Sequence, residues 1–172
     1  MHACQCIEQF AAPRPRTDRC YRDRVQRVER RATIPGAPEE VFAYLSDLEN
    51  LPAWQTGVVE ARLTSTGPIG IGSTAHVVRE LMGQRIEAPL TVTEYEPPRR
   101  MVVDSKVGGV GVSIALDLAA ADLGTEVGVT AEIRGSGLTA FMEPMIASAA
   151  GSDLAVSLDR LRSALAPGAE QP

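Results

Sequence analysis

The 172-residue sequence predicts an α+β domain. A curved antiparallel sheet of seven strands wraps one long C-terminal helix, and two short helices follow the first strand. Three observations carry this. Between Val58 and Ile133 apolar residues recur at every second position, with Gly and Pro at intervals of about ten residues, the pattern of an antiparallel meander. Leu154, Leu158, Leu161 and Leu165 then follow the i, i+4, i+7, i+11 spacing of one helix face. Finally, one helix cannot cover seven strands unless the sheet curls round it.

The first strand is expected over Val25–Ile34, stopped by Pro35-Gly36-Ala37-Pro38. Pro38-Glu39-Glu40 opens a helix, because proline fits the first turn and the carboxylates face the positive end of the helix dipole. Val41, Phe42, Tyr44 and Leu45 supply its buried face, and Ser46-Asp47 ends it and caps a short second piece from Leu48 to Leu51, ahead of Pro52-Ala53-Trp54. The remaining strands are expected at Val58–Thr64, Ser73–Leu81, Arg85–Tyr95, Arg100–Val107, Val112–Leu118 and Glu126–Arg134. Alternation places Ile86, Ala88, Leu90 and Val92 on one side, as it does Val112, Ile114, Leu116 and Leu118, and Val127, Val129, Ala131 and Ile133. These are the expected inward faces and the expected cavity walls. The helix is expected from Leu138 to Leu165 across the cavity mouth, broken near Glu143 by Pro144 and loosened in the middle by Gly151.

Residues 1–22, with Pro13, Pro15 and scattered arginines, have no sustained period and read as a disordered extension; residues 23–166 form the domain and 167–172 a tail. Residues 1–31 hold eight arginines against four acids, while the rest of the chain has nine basic and eighteen acidic side chains. An acidic body repels phosphate backbones, so the folded domain is not expected to bind nucleic acid. Cys4, Cys6 and Cys20, with His2, all fall in the extension and match no common zinc module, so no metal site is expected. No apolar run reaches the roughly 18–20 residues of a membrane span, and no signal-type apolar stretch opens the chain; a cytoplasmic protein, monomer or homodimer, is expected. Aromatics are only 4% of the chain, so Val, Leu, Ile, Ala and Met must fill most of the interior.

The segments Ile34-Pro35-Gly36-Ala37-Pro38-Glu39-Glu40-Val41-Phe42, Leu48-Glu49-Asn50-Leu51-Pro52-Ala53-Trp54, Val92-Thr93-Glu94-Tyr95-Glu96-Pro97-Pro98-Arg99-Arg100 and Phe141-Met142-Glu143-Pro144-Met145 carry a resemblance. Together with the element order, they resemble the helix-grip fold of START-like and birch-pollen-allergen-like proteins, and in particular the bacterial polyketide cyclase/dehydrase family. The resemblance spans about residues 25–165 and implies a cavity between sheet and helix. Members of that group bind lipids, sterols, polyketides, quinones or plant hormones, and some cyclise or dehydrate the held ligand. It implies no invariant catalytic set, and fold alone does not choose among these roles.

No P-loop, dinucleotide fingerprint, zinc-protease motif or nucleophile elbow is present, so no cofactor is expected. Arg79 interrupts the apolar face of Ala75, Val77 and Leu81. It is a candidate to meet a ligand carboxylate or carbonyl, the competing reading being a salt bridge at the sheet edge. His76 is a candidate base, set against an exposed position beside Thr74 and Glu80. Glu143 is a candidate acid at the cavity mouth, or simply a helix-entry residue. Trp54 either stacks on a ligand or plugs the core. Val77, Leu90, Val92, Met101, Val103, Ile114 and Leu116 are expected to line the cavity, and Phe141, Met142 and Met145 to line or gate it. Asp104 and Asp117 are expected to face water. The leading expectation is binding or carriage of a small hydrophobic molecule. A polyketide aromatase/cyclase or dehydratase, and a toxin-like interaction module using the arginine-rich extension, are the alternatives.

Overall fold

The computed structural model describes residues 25–81, 83–135 and 143–166, the last group with backbone alone at 143–147, 149 and 150. The expected extension, with its cysteines, and the tail lie outside the described residues. Seven strands run in chain order, β1 (Val25–Ile34), β2 (Val58–Leu63), β3 (Thr74–Leu81), β4 (Gln84–Glu96), β5 (Arg100–Val107), β6 (Val110–Ala121) and β7 (Gly124–Gly135). Between β1 and β2 lie α1 (Pro38–Ser46), a 3-10 turn (Leu48–Asn50) and α2 (Leu51–Trp54), and α3 (Glu143–Ala164) closes the described chain. The fold is the expected one, with β4, β6 and β7 each longer than alternation alone marks. The start of the expected long helix, Leu138 to Met142, lies outside the described residues.

All pairings are antiparallel, in the order β1-β7-β6-β5-β4-β3-β2. Hairpins build β2 to β7 as a meander, and β1 joins the far edge by pairing with β7 from Val25↔Arg134 to Ile34↔Thr125. The chain must therefore pass from one edge of the sheet to the other between β1 and β2, which is the task of the short helices. Glu40 accepts a hydrogen bond from the Ala37 N–H at 3.2 Å, and Asp47 accepts from the Glu49 N–H at 3.1 Å, so α1 and the 3-10 turn are each capped by a carboxylate the sequence supplies. Gly124, at φ +136°, starts β7 where an added Cβ would overlap the Ile34 carbonyl oxygen. Only glycine lets the last hairpin approach the end of β1 so closely.

Two bulges reset the alternation. In β4 the register passes from Val92↔Val103 to Glu94↔Val102, leaving Thr93 extra; in β2 it passes from Val58↔Arg79 to Glu60↔Val78, leaving Val59 extra. Val92 and Tyr95 consequently both point inward, and Tyr95 meets Phe42 of α1 with ring centroids 5.5 Å apart. On the outer face, Arg100 donates to Glu94 and Asp117 at 2.7 and 2.6 Å, and these hydrogen bonds, Glu94's first, raise its pKa. Asp104 is exposed and accepts from Ser113 at 2.6 Å, so both aspartates face water as expected.

Helix α3 packs against β1, β7 and α2. Leu154, Leu158 and Leu161 are buried in the core, each worth about 1.5–3 kcal/mol in apolar burial. Gly151 differs from expectation. It lies within a continuous helix and faces β1, with Arg30 and Val28 beside the space a Cβ would take. Ser157 ties the helix to the chain after α2: its hydroxyl donates to the Asp153 carbonyl at 2.6 Å and accepts from the Thr56 N–H at 2.9 Å. Arg162 latches the last turn onto the Thr33 carbonyl at 3.2 Å.

Candidate functional site

Because α3 covers the β1 and β7 side of the concave face, the β3–β6 side is left to the short helices, which do not fill it. A cavity of about 290 Å³ results. Its floor is Val77 and Arg79 of β3, Ile86, Ala88 and Leu90 of β4, Met101, Val103 and Ser105 of β5, and Val112, Ile114 and Leu116 of β6. Its cover is Leu45, Leu48, Leu51, Trp54 and Gln55. No acidic side chain lines it among the described residues. The walls are aliphatic because three hairpins in register put their inward faces side by side, as in the row Val103↔Ile114 and the row Met101↔Leu116.

Of the expected lining, Trp54, Val77, Arg79, Leu90, Met101, Val103, Ile114 and Leu116 come together here. Val92 does not: at 1% exposure it is packed in the core beside the β4 bulge. The β7 face also departs from the expected walls. Val127, Val129, Ala131 and Ile133 are buried but do not line the cavity, because α3 occupies that side. Phe141 and Met142 lie outside the described residues, and of Glu143 and Met145 only the backbone, at the start of α3, is described. His76 is on the outer face, 45% exposed, with its Nε2 3.5 Å from Glu87; the structure separates it from the cavity.

Arg79 is the charged group of the site. Its Nη2 donates to the Thr56 carbonyl at 3.2 Å, which is neither a contact with an edge carboxylate nor a fully free head group. Burial pulls its pKa below the ordinary guanidinium value, and the charge of Asp153 opposes that shift. The Thr56 carbonyl is held in place from both sides, since the Thr56 N–H is bound by Ser157 and the next residue, Gly57, turns the chain into β2 at φ +79°. Trp54 is 3% exposed, and its indole Nε1 is buried with no acceptor among the described residues, as is the Thr56 hydroxyl. Gln55, also buried, lines the cavity between them in sequence. Sequence reasoning passed over Gln55, Ser105 and the α1 to α2 leucines, because nothing in a local pattern says which short-helix residues face empty space. A separate groove of about 540 Å³ lies outside, between α1 and the Pro97-Pro98 turn; it is open to solvent and rimmed by Glu39, Asp47 and Glu49.

A sheet gripping a C-terminal helix, with an apolar cavity under short helices, is the architecture of START-like proteins, and solved structures bear out that likeness. A protein of Thermus thermophilus superposes with a TM-score of 0.70 at 17% identity, covering 84% of this chain and 99% of its own. A START superfamily protein from Mycobacterium smegmatis superposes at 0.67 and 15% identity, covering 81% and 96%. A di-domain aromatase/cyclase from the steffimycin biosynthetic pathway superposes at 0.67 and 13% identity, covering 84% of this chain; the chain spans only 51% of that protein's length. In sequence, the model of the polyketide cyclase/dehydrase and lipid transport family matches residues 25–166, and the chain belongs to that family. A Mycobacterium tuberculosis protein described as a toxin is 26% identical over 126 residues, covering 73% of this chain and 88% of its own.

Proposed function

We propose that this protein binds a small hydrophobic molecule, lipid-, polyketide- or quinone-like, in the β3–β6 cavity, and holds or carries it without transforming it. The observation that supports this reading is a cavity on the concave face of the sheet, walled mainly by aliphatic side chains. An engineered apolar cavity of about 150 Å³ accepts benzene. The 290 Å³ here is thus sized for roughly two rings or a medium alkyl chain, near the lower end of the approximately 300–1,000 Å³ typical of ligand pockets. In this reading Val77, Leu90, Met101, Val103, Ile114 and Leu116 contact the ligand body. Native mass spectrometry after gentle purification, with lipid and polyketide libraries added, is expected to show a one-to-one adduct. Absence of any adduct, together with a crystal structure in which side chains fill the cavity, overturns the reading.

Two specific observations favour other readings. The buried charge of Arg79 and the likeness to an aromatase/cyclase favour an enzyme that polarises a ligand carbonyl. Arg79→Ala then abolishes turnover, whereas a carrier loses only some affinity. The 26%-identical relative described as a toxin favours a toxin-like role; induced expression of the full chain, and of a chain lacking residues 1–22, reads this directly as growth arrest.

A further inference from the structure

We infer that the ligand of this cavity is an amphipathic acid, whose carboxylate sits against Arg79 and Gln55 and whose apolar body lies along β4, β5 and β6. The inference rests on the ligand-binding reading above and names the class of ligand. Among the described residues, Arg79 is the one charged side chain lining a largely aliphatic space, and Gln55 is a further amide donor in that lining. Arg79 reaches the Thr56 carbonyl, so its guanidinium lies beside the Trp54-Gln55-Thr56 segment. One hydrogen bond uses only a fraction of the five N–H groups a guanidinium offers. Among the described residues no carboxylate lies within ion-pair distance of it and none lines the cavity, while the charge of Asp153 acts on it from α3 at longer range.

A carboxylate has the lone pairs to accept from amide and guanidinium together, and a positive group in a largely apolar pocket favours an anion over a neutral acceptor. The aliphatic remainder of the cavity excludes a small free anion as the sole occupant and calls for an alkyl or ring-bearing body.

Displacement of the neutral fluorophore N-phenylnaphthylamine from the full-length protein tests this at neutral pH. The fluorophore is expected to bind, and decanoate to displace it at least about tenfold more tightly than decanol, the effect of one charge-assisted hydrogen bond. Arg79→Met is expected to bring the decanoate and decanol affinities to within about twofold of each other, and an unchanged preference in that variant overturns the assignment of the carboxylate to Arg79. Equal affinities of decanoate and decanol for the unmodified protein, with the fluorophore bound, overturn the acid-binding inference alone. Failure to bind fluorophore, decanoate and decanol alike overturns the ligand-binding reading beneath it.

Discussion

Ala88→Leu asks whether the cavity is space the protein keeps at a cost to its own stability. Ala88 lies mid-floor on β4, opposite Val77 of β3, and lines the cavity. Leucine adds three carbons at a wall that faces empty volume. At about 0.8 kcal/mol per buried carbon the gain is about 2.4 kcal/mol, and the lost rotamer freedom of leucine removes about 0.5–1 kcal/mol. The net expectation is a variant about 1.5 kcal/mol more stable. With a urea m-value of about 1–3 kcal/mol/M, the midpoint rises by roughly 0.5–1.5 M. The same side chain occupies part of the ligand's volume, so the affinity for N-phenylnaphthylamine is expected to fall at least about tenfold. Urea melts followed by circular dichroism, paired with fluorophore titration, give both numbers, and Ala120→Leu on the exposed end of β6 serves as the neutral comparison. Destabilisation by about 1–3 kcal/mol, the signature of overpacking, with unchanged fluorophore binding, refutes the reasoning.

Gly151→Ala is expected to be neutral or to stabilise by up to about 1 kcal/mol in thermal melts, since the new Cβ meets the movable end of Arg30 at 3.1 Å and the helix gains alanine's propensity. Gly124→Ala acts in the opposite direction. It combines a positive φ with overlap of the Ile34 carbonyl, and a loss of about 3 kcal/mol or failure to fold is expected in urea melts. Ser157→Ala leaves the Thr56 N–H without its acceptor, and a cost of about 1–3 kcal/mol is expected. It also frees the carbonyl that Arg79 binds, so decanoate affinity is expected to fall more than decanol affinity in the displacement titration. Arg79→Met leaves the stability within about 1 kcal/mol of the parent in the same melts, because the lost hydrogen bond is offset by relief of a buried charge.

The fold was legible because strand and helix periods are local properties. Ile86, Ala88 and Leu90 alternate inward on β4 whatever lies above them, and Leu154, Leu158 and Leu161 mark a helix stripe wherever the helix docks. The site was legible only in part, because a cavity is defined by what fails to cover a face. Leu116 and Val129 are paired neighbours with the same inward pattern, yet one lines the cavity and the other does not. That difference is made by α3, which seats on β1 at Gly151 and is tied to the chain after α2 by Ser157. The bulges at Val59 and Thr93 carry no composition signal either, and a strict count of two would turn Tyr95 away from Val92. Arg79 stood out as a charge in an apolar row, but its carbonyl partner comes from Thr56, 23 positions earlier in the chain, and no spacing rule connects them.

The placement of α3 over only one side of the sheet has a consequence for how such a protein can change. The β1, β7 and α3 side acts as a foundation in which any altered volume is felt at once. The β3–β6 side borders a void and tolerates larger or smaller side chains with little strain. Substitutions on the two sides, where they share no partners, are expected to add independently. If the cavity holds a ligand as proposed, substitutions at Leu90, Val103 or Ile114 are expected to change its selectivity while the foundation stays untouched.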